Sequence, residues 1–279
     1  MLMQATATYD RATIFAANRA RGRIDVSVAQ SAGRTRRRRV LEDGSYRIRF
    51  PNVSGEEAEA VIVNSAGGVA GGDQFEVAIE VKEGARLAVL TAAAEKVYRA
   101  IGTASQMDVR LRVEAEGALR WLPQETILFD EARLHRSITV DLDEAATLMM
   151  AEVVIFGRAA MDETMKQGEL IDRWRIRRGG RLVLAETLRL RGEVENLLAR
   201  PACGQGAVAL ATAIFAPGDD NLCARVREAL QGCGAEAAIS AWNGIAVARL
   251  CSGDAALLRR DLISVLNAAG GALPRLWTN

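Results

Sequence analysis

Residues Val77–Leu90 read VAIEVKEGARLAVL, and this stretch holds the pattern on which the fold depends. Val77, Ile79 and Val81 alternate with Ala78 and Glu80, the mark of a half-buried strand. An acidic, glycine-bearing turn follows, and then a more apolar arm. Glycine suits such a turn because it tolerates positive φ. The same order recurs as VRLRVEAEGALRWL from Val109, ITVDLDEAATLMM from Ile138 and, more weakly, RWRIRRGGRLVLAE from Arg173. The spacing is about 30 residues, inside the range of stacked repeat architectures. IDVSV (Ile24–Val28) and FEVAIEV (Phe75–Val81) carry the same alternation, and each segment is expected to be an antiparallel strand. The pattern predicts a mainly β protein: a layered, β-helix-like stack of antiparallel strand pairs. The competing architecture is a β-sandwich of hairpins.

Beyond Pro201 the texture changes. GAVALATAIF reads as a buried strand, and DDNLCARVREALQG places Leu222, Val226 and Leu230 at helical spacing after a capping Asp219. AEAAISAWNGIAVARL reads as two strands joined at Asn243-Gly244. A second helix follows, with Leu258, Leu262, Val265 and Leu266 inward. The expected organisation is a mainly-β body over residues 1–200 and a small β-α-β-β-α unit with two helices over 201–279, packed as one structural domain. The tail ALPRLWTN is expected to lie on the body.

Composition narrows the function classes. The chain has 279 residues, enough for a sizeable core, with 36 basic and 35 acidic residues for a net charge of +1. That balance argues against a nucleic-acid partner. Five arginines between Arg34 and Arg39 are expected to form one short solvated loop, or a surface for an acidic partner. The most apolar run, LMMAEVVIFG, is about half the length of a membrane span and carries Glu152. No secretory signal is visible and the four cysteines form no CxxC pair, so a cytoplasmic protein with reduced thiols is expected. The single histidine, His135, leaves zinc and serine-hydrolase chemistry without its usual residue.

NSAGGVAGGDQF (Asn64–Phe75) sets Gly67, Gly68, Gly71 and Gly72 before Asp73. It lacks the Lys-Ser/Thr of a P-loop and the spacing of a dinucleotide fingerprint. Close backbone packing around Asp73 is the alternative. Glu152 and Glu186 sit inside apolar strands, where a carboxylate is costly unless paired or bound to a cation. An arginine partner is the bland explanation; a polar channel lined by oxygen donors is the functional one. Such oxygens hold a borderline metal weakly, which suits passage over storage. Lys96, Tyr98, Arg99, Gln124, Glu125 and Asp130 complete the polar clusters. An acid–base enzyme around Glu125 and Lys96 has no nucleophile–base pair behind it, and a carbohydrate- or peptide-binding β module has few aromatics to build from.

The motifs SAGGVAGGDQF, EKVYRA, WLPQETILFDEAR (with Pro123, Gln124 and Glu125), Gly157-Arg158 and LPRLW, in that order, resemble the urease accessory protein UreD (UreH) family over about Gly22 to Trp277. The resemblance implies a mainly β, non-enzymatic protein of the cytoplasm. It implies a chaperone-like part in metallocentre assembly, in a protein complex with UreF and, through it, the GTPase UreG. There it delivers Ni2+ to the apo-urease subunits through an internal tunnel. Nickel would be in transit, with no tightly bound cofactor and no nucleic-acid or membrane partner. Asp73, Glu152 and Glu186 are the implied tunnel oxygens. Glu95 stands where the family often has a small hydroxyl before Lys-x-Tyr-Arg, and adds a fourth candidate carboxylate.

Overall fold

The computed structural model describes residues 18–53 and 55–278, and the alternating stretches are strands. In chain order they are β1 (Arg21–Ser31), β2 (Arg34–Gly44), β3 (Tyr46–Arg49), β4 (Ala58–Asn64), β5 (Gln74–Val81), β6 (Arg86–Thr91), β7 (Glu95–Val97), β8 (Ser105–Val113) and β9 (Ala118–Trp121). There follow β10 (Thr126–Leu128), β11 (Arg133–Leu142), β12 (Thr147–Arg158), β13 (Glu163–Thr164), β14 (Gln167–Arg178), β15 (Arg181–Glu193), β16 (Ala209–Ala216), β17 (Glu236–Trp242) and β18 (Ile245–Ser252). The helices among the described residues are α1 (Val194–Ala199), α2 (Asp220–Leu230), α3 (Ala255–Gly270) and α4 (Arg275–Thr278). A first sheet runs β15-β14-β11-β8-β5-β1-β2, and a second runs β17-β18-β16-β12-β9-β6-β4-β3, with β10 and β13 paired to β12 and β7 paired to β10.

The layered, β-helix-like stack is present, and its pairing is more specific than strand pairs. The two arms of each repeat go to opposite sheets, β5 to the first and β6 to the second, and likewise β8 and β9, β11 and β12. Each arm pairs in parallel with the same arm of the next repeat. The antiparallel expectation for Ile24–Val28, Phe75–Val81 and the arms from Val109 and Ile138 is corrected accordingly: β1, β5, β8 and β11 are parallel to one another. Alternation reports which face of a strand is buried and is silent on the direction of its neighbour. The short turns are corners whose hydrogen bonds run to the coil below, as in Glu114 N to Val81 O (2.9 Å) and Ala118 N to Ala85 O (2.9 Å). Antiparallel pairing marks the ends: β1 with β2, β3 with β4, and the weaker copy from Arg173, which is a true β14–β15 hairpin.

Register explains the core. Ile24, Val77, Val109 and Ile138 face one another across successive strands, as do Val26, Ile79, Leu111 and Val140. These ladders fill the space between the sheets with Leu87, Leu119 and Met150 from the opposite side. The first sheet turns its polar face to solvent, with Arg110 on Glu76 at 3.2 Å. The second sheet is buried on both faces, because α2, α3 and α4 cover its outer side. This is why β12 reads as one apolar run while β5, β8 and β11 alternate.

The C-terminal β-α-β-β-α order is as expected. β16, β18 and β17 extend the second sheet antiparallel from β12. Asp219 caps α2 by accepting Leu222 N at 2.7 Å, and Asp254 caps α3. Asn243 and Gly244 take φ of 49° and 76° in the β17–β18 turn. The tail docks through Trp277, 1% exposed, whose Nε1 donates to Leu122 O at 2.9 Å. The five-arginine segment is corrected from a loop to β2, an edge strand. Charged side chains on an edge strand need no buried face, so the run shows no alternation.

Candidate functional site

Inward positions of the two sheets are mostly apolar, and buried charges cluster along one row. In β11, Leu134 and Ile138 point into the core, and Arg136 lies between them in the same register. In β14, Asp172 lies between Leu170 and Trp174 in the same way. Arg136 donates to Asp172 through Nε at 3.0 Å and Nη2 at 2.5 Å, a two-point contact. Its Nη1 reaches Glu152 Oε2 at 2.5 Å and approaches Thr126 Oγ1 at 3.5 Å. Trp121 Nε1 donates to the other Glu152 oxygen at 2.7 Å. Both carboxylates and the guanidinium are buried. Burial pushes the Glu152 carboxyl up, against the lowering pull of Arg136 and the Trp121 hydrogen bond. For Arg136, burial acts to lower the pKa, but Asp172 and then Glu152 outweigh it and hold the guanidinium charged.

This cluster forms one wall of a cavity of about 700 Å³ between β14–β15 and β16–β18–β17. Glu186 lies on the same cavity and is ion-paired to Arg249 at a more exposed position. Cys203, Cys251 and Glu236 also border it. Burial, then Glu236, raises the Cys251 thiol, so that group is a poor thiolate. Among the described residues no three His, Cys, Asp or Glu side chains converge closely enough to hold a metal ion.

The row continues away from the cavity. Thr126 of β10 is opposite Val154 of β12 on one side and Glu95 of β7 on the other. Val154, Leu128 and Val97 belong to the inter-sheet core, so Glu95 and Thr126, two residues before Val97 and Leu128, face the same interior. Glu95 accepts from Asn64 Nδ2 at 3.1 Å. Burial lifts its carboxyl to about 7, with the Asn64 hydrogen bond pulling the other way. A raised folded-state value means Glu95 contributes most stability below its unfolded pKa and loses it as pH rises through about 7. Unfolding free energy is therefore expected to fall by about 2 kcal/mol between roughly pH 5 and pH 7.5 from this group. Glu95→Gln should flatten that part of a pH series of denaturant melts; an unchanged slope would remove Glu95 as its source.

The other motif residues are placed elsewhere. Asp73 is buried, and its two oxygens accept Ala20 N (2.9 Å) and Ala70 N (2.7 Å), tying the chain entering β1 to the turn entering β5. It is not on the cavity wall. The glycines permit close approach: a Cβ on Gly71 would lie 2.7 Å from Ala100 Cβ, and one on Gly68 (φ +148°) 2.4 Å from the Tyr98 ring. Gly67 O accepts the Tyr98 hydroxyl at 2.8 Å, and Gly72 also has positive φ. Lys96 is exposed, and Arg99 pairs with Glu131 at 2.8 Å. Gln124 Nε2 donates to Leu276 O at 3.2 Å, while Glu125 is ion-paired to Arg259 of α3. With Pro123 before them, these residues mount the C-terminal helices on the second sheet. His135 sits 3.0 Å from Glu169.

Two charged residues of the buried cluster, Arg136 and Asp172, were not among the expected site positions. Their signal was legible: each is a charge in the inward parity of an alternating strand.

A family model described as UreD urease accessory protein matches residues 20–278. The chain is similar to a urease accessory protein UreD of Rhodopseudomonas palustris strain BisA53, 53% identical over 272 residues covering 98% of this chain and 95% of that one. It is similar to the UreD of Bradyrhizobium diazoefficiens, 54% identical over 267 residues, 96% and 97% of the two chains. A UreD from R. palustris strain BisB5 is 56% identical over 265 residues, 95% and 94% of the two.

Proposed function

The chain belongs to the UreD urease accessory protein family, and on that premise we propose that it acts in urease maturation as a non-enzymatic cytoplasmic scaffold and nickel conduit. It works in complex with UreF and UreG and passes Ni2+ toward apo-urease. The observation that carries this reading is the inward row of oxygen donors, Glu95, Thr126, Glu152 and Asp172, leading to the Glu186 cavity through a mostly apolar core. The cavity, about 700 Å³, has room for a divalent ion that keeps its waters, since six waters fill roughly 200 Å³. The oxygens are spread along the row, as an ion in passage requires, and two carboxylates face one guanidinium at Arg136. Asp73 serves this reading as the anchor that fixes the turn beside Glu95's strand, with its oxygens held by main-chain amides.

The test is a defined activation mixture of apo-urease, nickel, GTP, UreF and UreG, with and without this chain. Nickel per urease active site is read by elemental analysis. Loading that depends on the chain is expected; equal loading in its absence would sink the proposal.

A further inference from the structure

The outer face of the first sheet is unevenly charged. Toward β5 the charges are matched: Arg110 meets Glu76 at 3.2 Å, and Lys82, in the turn after β5, meets Glu80 and Glu114 at 2.9 Å each. Toward the other edge they are not. β14 sets Arg173, Arg175 and Arg177 at alternate positions, and β15 adds Arg189 and Arg191. Trp174, Ile176 and Leu190 between them belong to the core, so these arginines face outward. Arg191 comes within 3.9 Å of Glu169, which His135 already meets at 3.0 Å. Arg175 donates to the main-chain oxygens of Trp174 (2.8 Å) and Glu186 (2.9 Å). Arg173, Arg177 and Arg189 are exposed and have no carboxylate in ion-pair range among the described residues.

Guanidinium groups gathered without counter-charges fit a partner that supplies oxyanions, and their planar fork suits carboxylates. The spacing and the relief of the surface select a helix. Alternate residues of a strand repeat every 6.7 Å or so, and glutamates four apart on a helix repeat every 6 Å or so. Beside Arg173 and Arg175 stand only small side chains: Ser137 and Thr139 on β11, Thr187 and Ala185 on β15. A helix can therefore lie along β14 without obstruction, the usual way in which a sheet face is covered. A single-stranded nucleic acid fits less well. It asks for aromatic side chains to stack on, and the outward positions of β5, β8, β11, β14 and β15 hold none. Asp141 and Glu169, within the patch, would also repel a continuous phosphate chain.

We propose that the outer face of β14 and β15 docks an acidic helix of a partner protein, with carboxylates four residues apart set along the Arg173–Arg177 file. Such docking does not depend on nickel passage. β15 also walls the cavity through Glu186, so the partner sits beside that cavity.

The probe is a fluorescein-labelled, alanine-rich helical peptide with glutamate at every fourth position, and its anisotropy is followed as full-length chain is added at low ionic strength. A dissociation constant of roughly 0.1–1 mM is expected, weakening with salt. Arg173→Glu, Arg177→Glu and Arg189→Glu together should raise it about 30-fold. The same reversal on β2, Arg34→Glu with Arg36→Glu and Arg38→Glu, changes the net charge equally and should leave binding within about twofold. Far-UV circular dichroism confirms that both variants fold. A peptide with the same glutamates placed consecutively should bind more weakly. No saturable binding, an equal loss in the β2 variant, or equal binding of the consecutive peptide would each overturn the proposal. Oligo(dT) held by the same three arginines more tightly than the peptide would also overturn it, by assigning the face to a nucleic acid.

Discussion

Arg136→Met is expected to destabilise the chain by about 3–5 kcal/mol at neutral pH, because it strands two buried carboxylates without their cation. For a chain of this length that is a fall of roughly 10 °C in thermal midpoint. Glu152 and Asp172 have almost no solvent to turn to, and only Trp121 still donates to Glu152. Without Arg136 the Glu152 carboxyl, which burial already pushes up, loses the lowering pull of the guanidinium. Its contribution to stability is then fully present below the unfolded value near 4 and is lost as pH rises. The variant should therefore gain stability on acidification from pH 7 toward 5, relative to the parent. Removing both acids as well, with Glu152→Gln and Asp172→Asn, should recover most of the loss, because a neutral cluster leaves no unpaired charge. A single Arg136→Met variant as stable as the parent at pH 7 would show that the pair is solvated and the interior wet at that point.

Glu152→Gln combined with Glu186→Gln is expected to keep the fold and lower nickel delivered to urease about tenfold, the scale on which lost polar support weakens a metal path. Both residues border the same cavity, but their surroundings differ: Glu152 is buried against Arg136, whereas Glu186 meets Arg249 where water reaches them. Glutamine keeps the shape and a hydrogen-bonding oxygen and removes only charge. A control, Glu125→Gln, breaks the contact to Arg259 on the outer side of the second sheet, away from the row. If the control lowers nickel delivery as much as the double variant, the effect is structural; if neither lowers it, the carboxylates do not carry the ion.

The faces of the strands were legible from alternation alone: Phe75, Val77, Ile79 and Val81 are all buried, and the polar positions between them face outward. The strand direction was not legible. A turn such as Lys82–Gly84 serves a hairpin or a corner equally well, and only the partner on the next coil decides, through contacts such as Val77 with Val109. The acids set in apolar runs were visible as local anomalies at Glu152 and Glu186, and of the two only Glu152 is buried. The role of Asp73 was not, since it depends on the amide of Ala20, 53 residues away. The arginine run was expected to be a loop because it lacked any apolar period, yet an edge strand exposed on both faces needs none.

β12 joins two kinds of pairing: parallel to β9 on one flank and antiparallel to β16 on the other, with both of its faces covered. During synthesis this strand is complete some fifty residues before β16 leaves the ribosome. Until then a twelve-residue apolar ribbon has one flank open and its outer side bare. Premature stops between the two strands therefore release a product built to clump. The last quarter of the chain acts as the stopper that makes the finished coil fit for water.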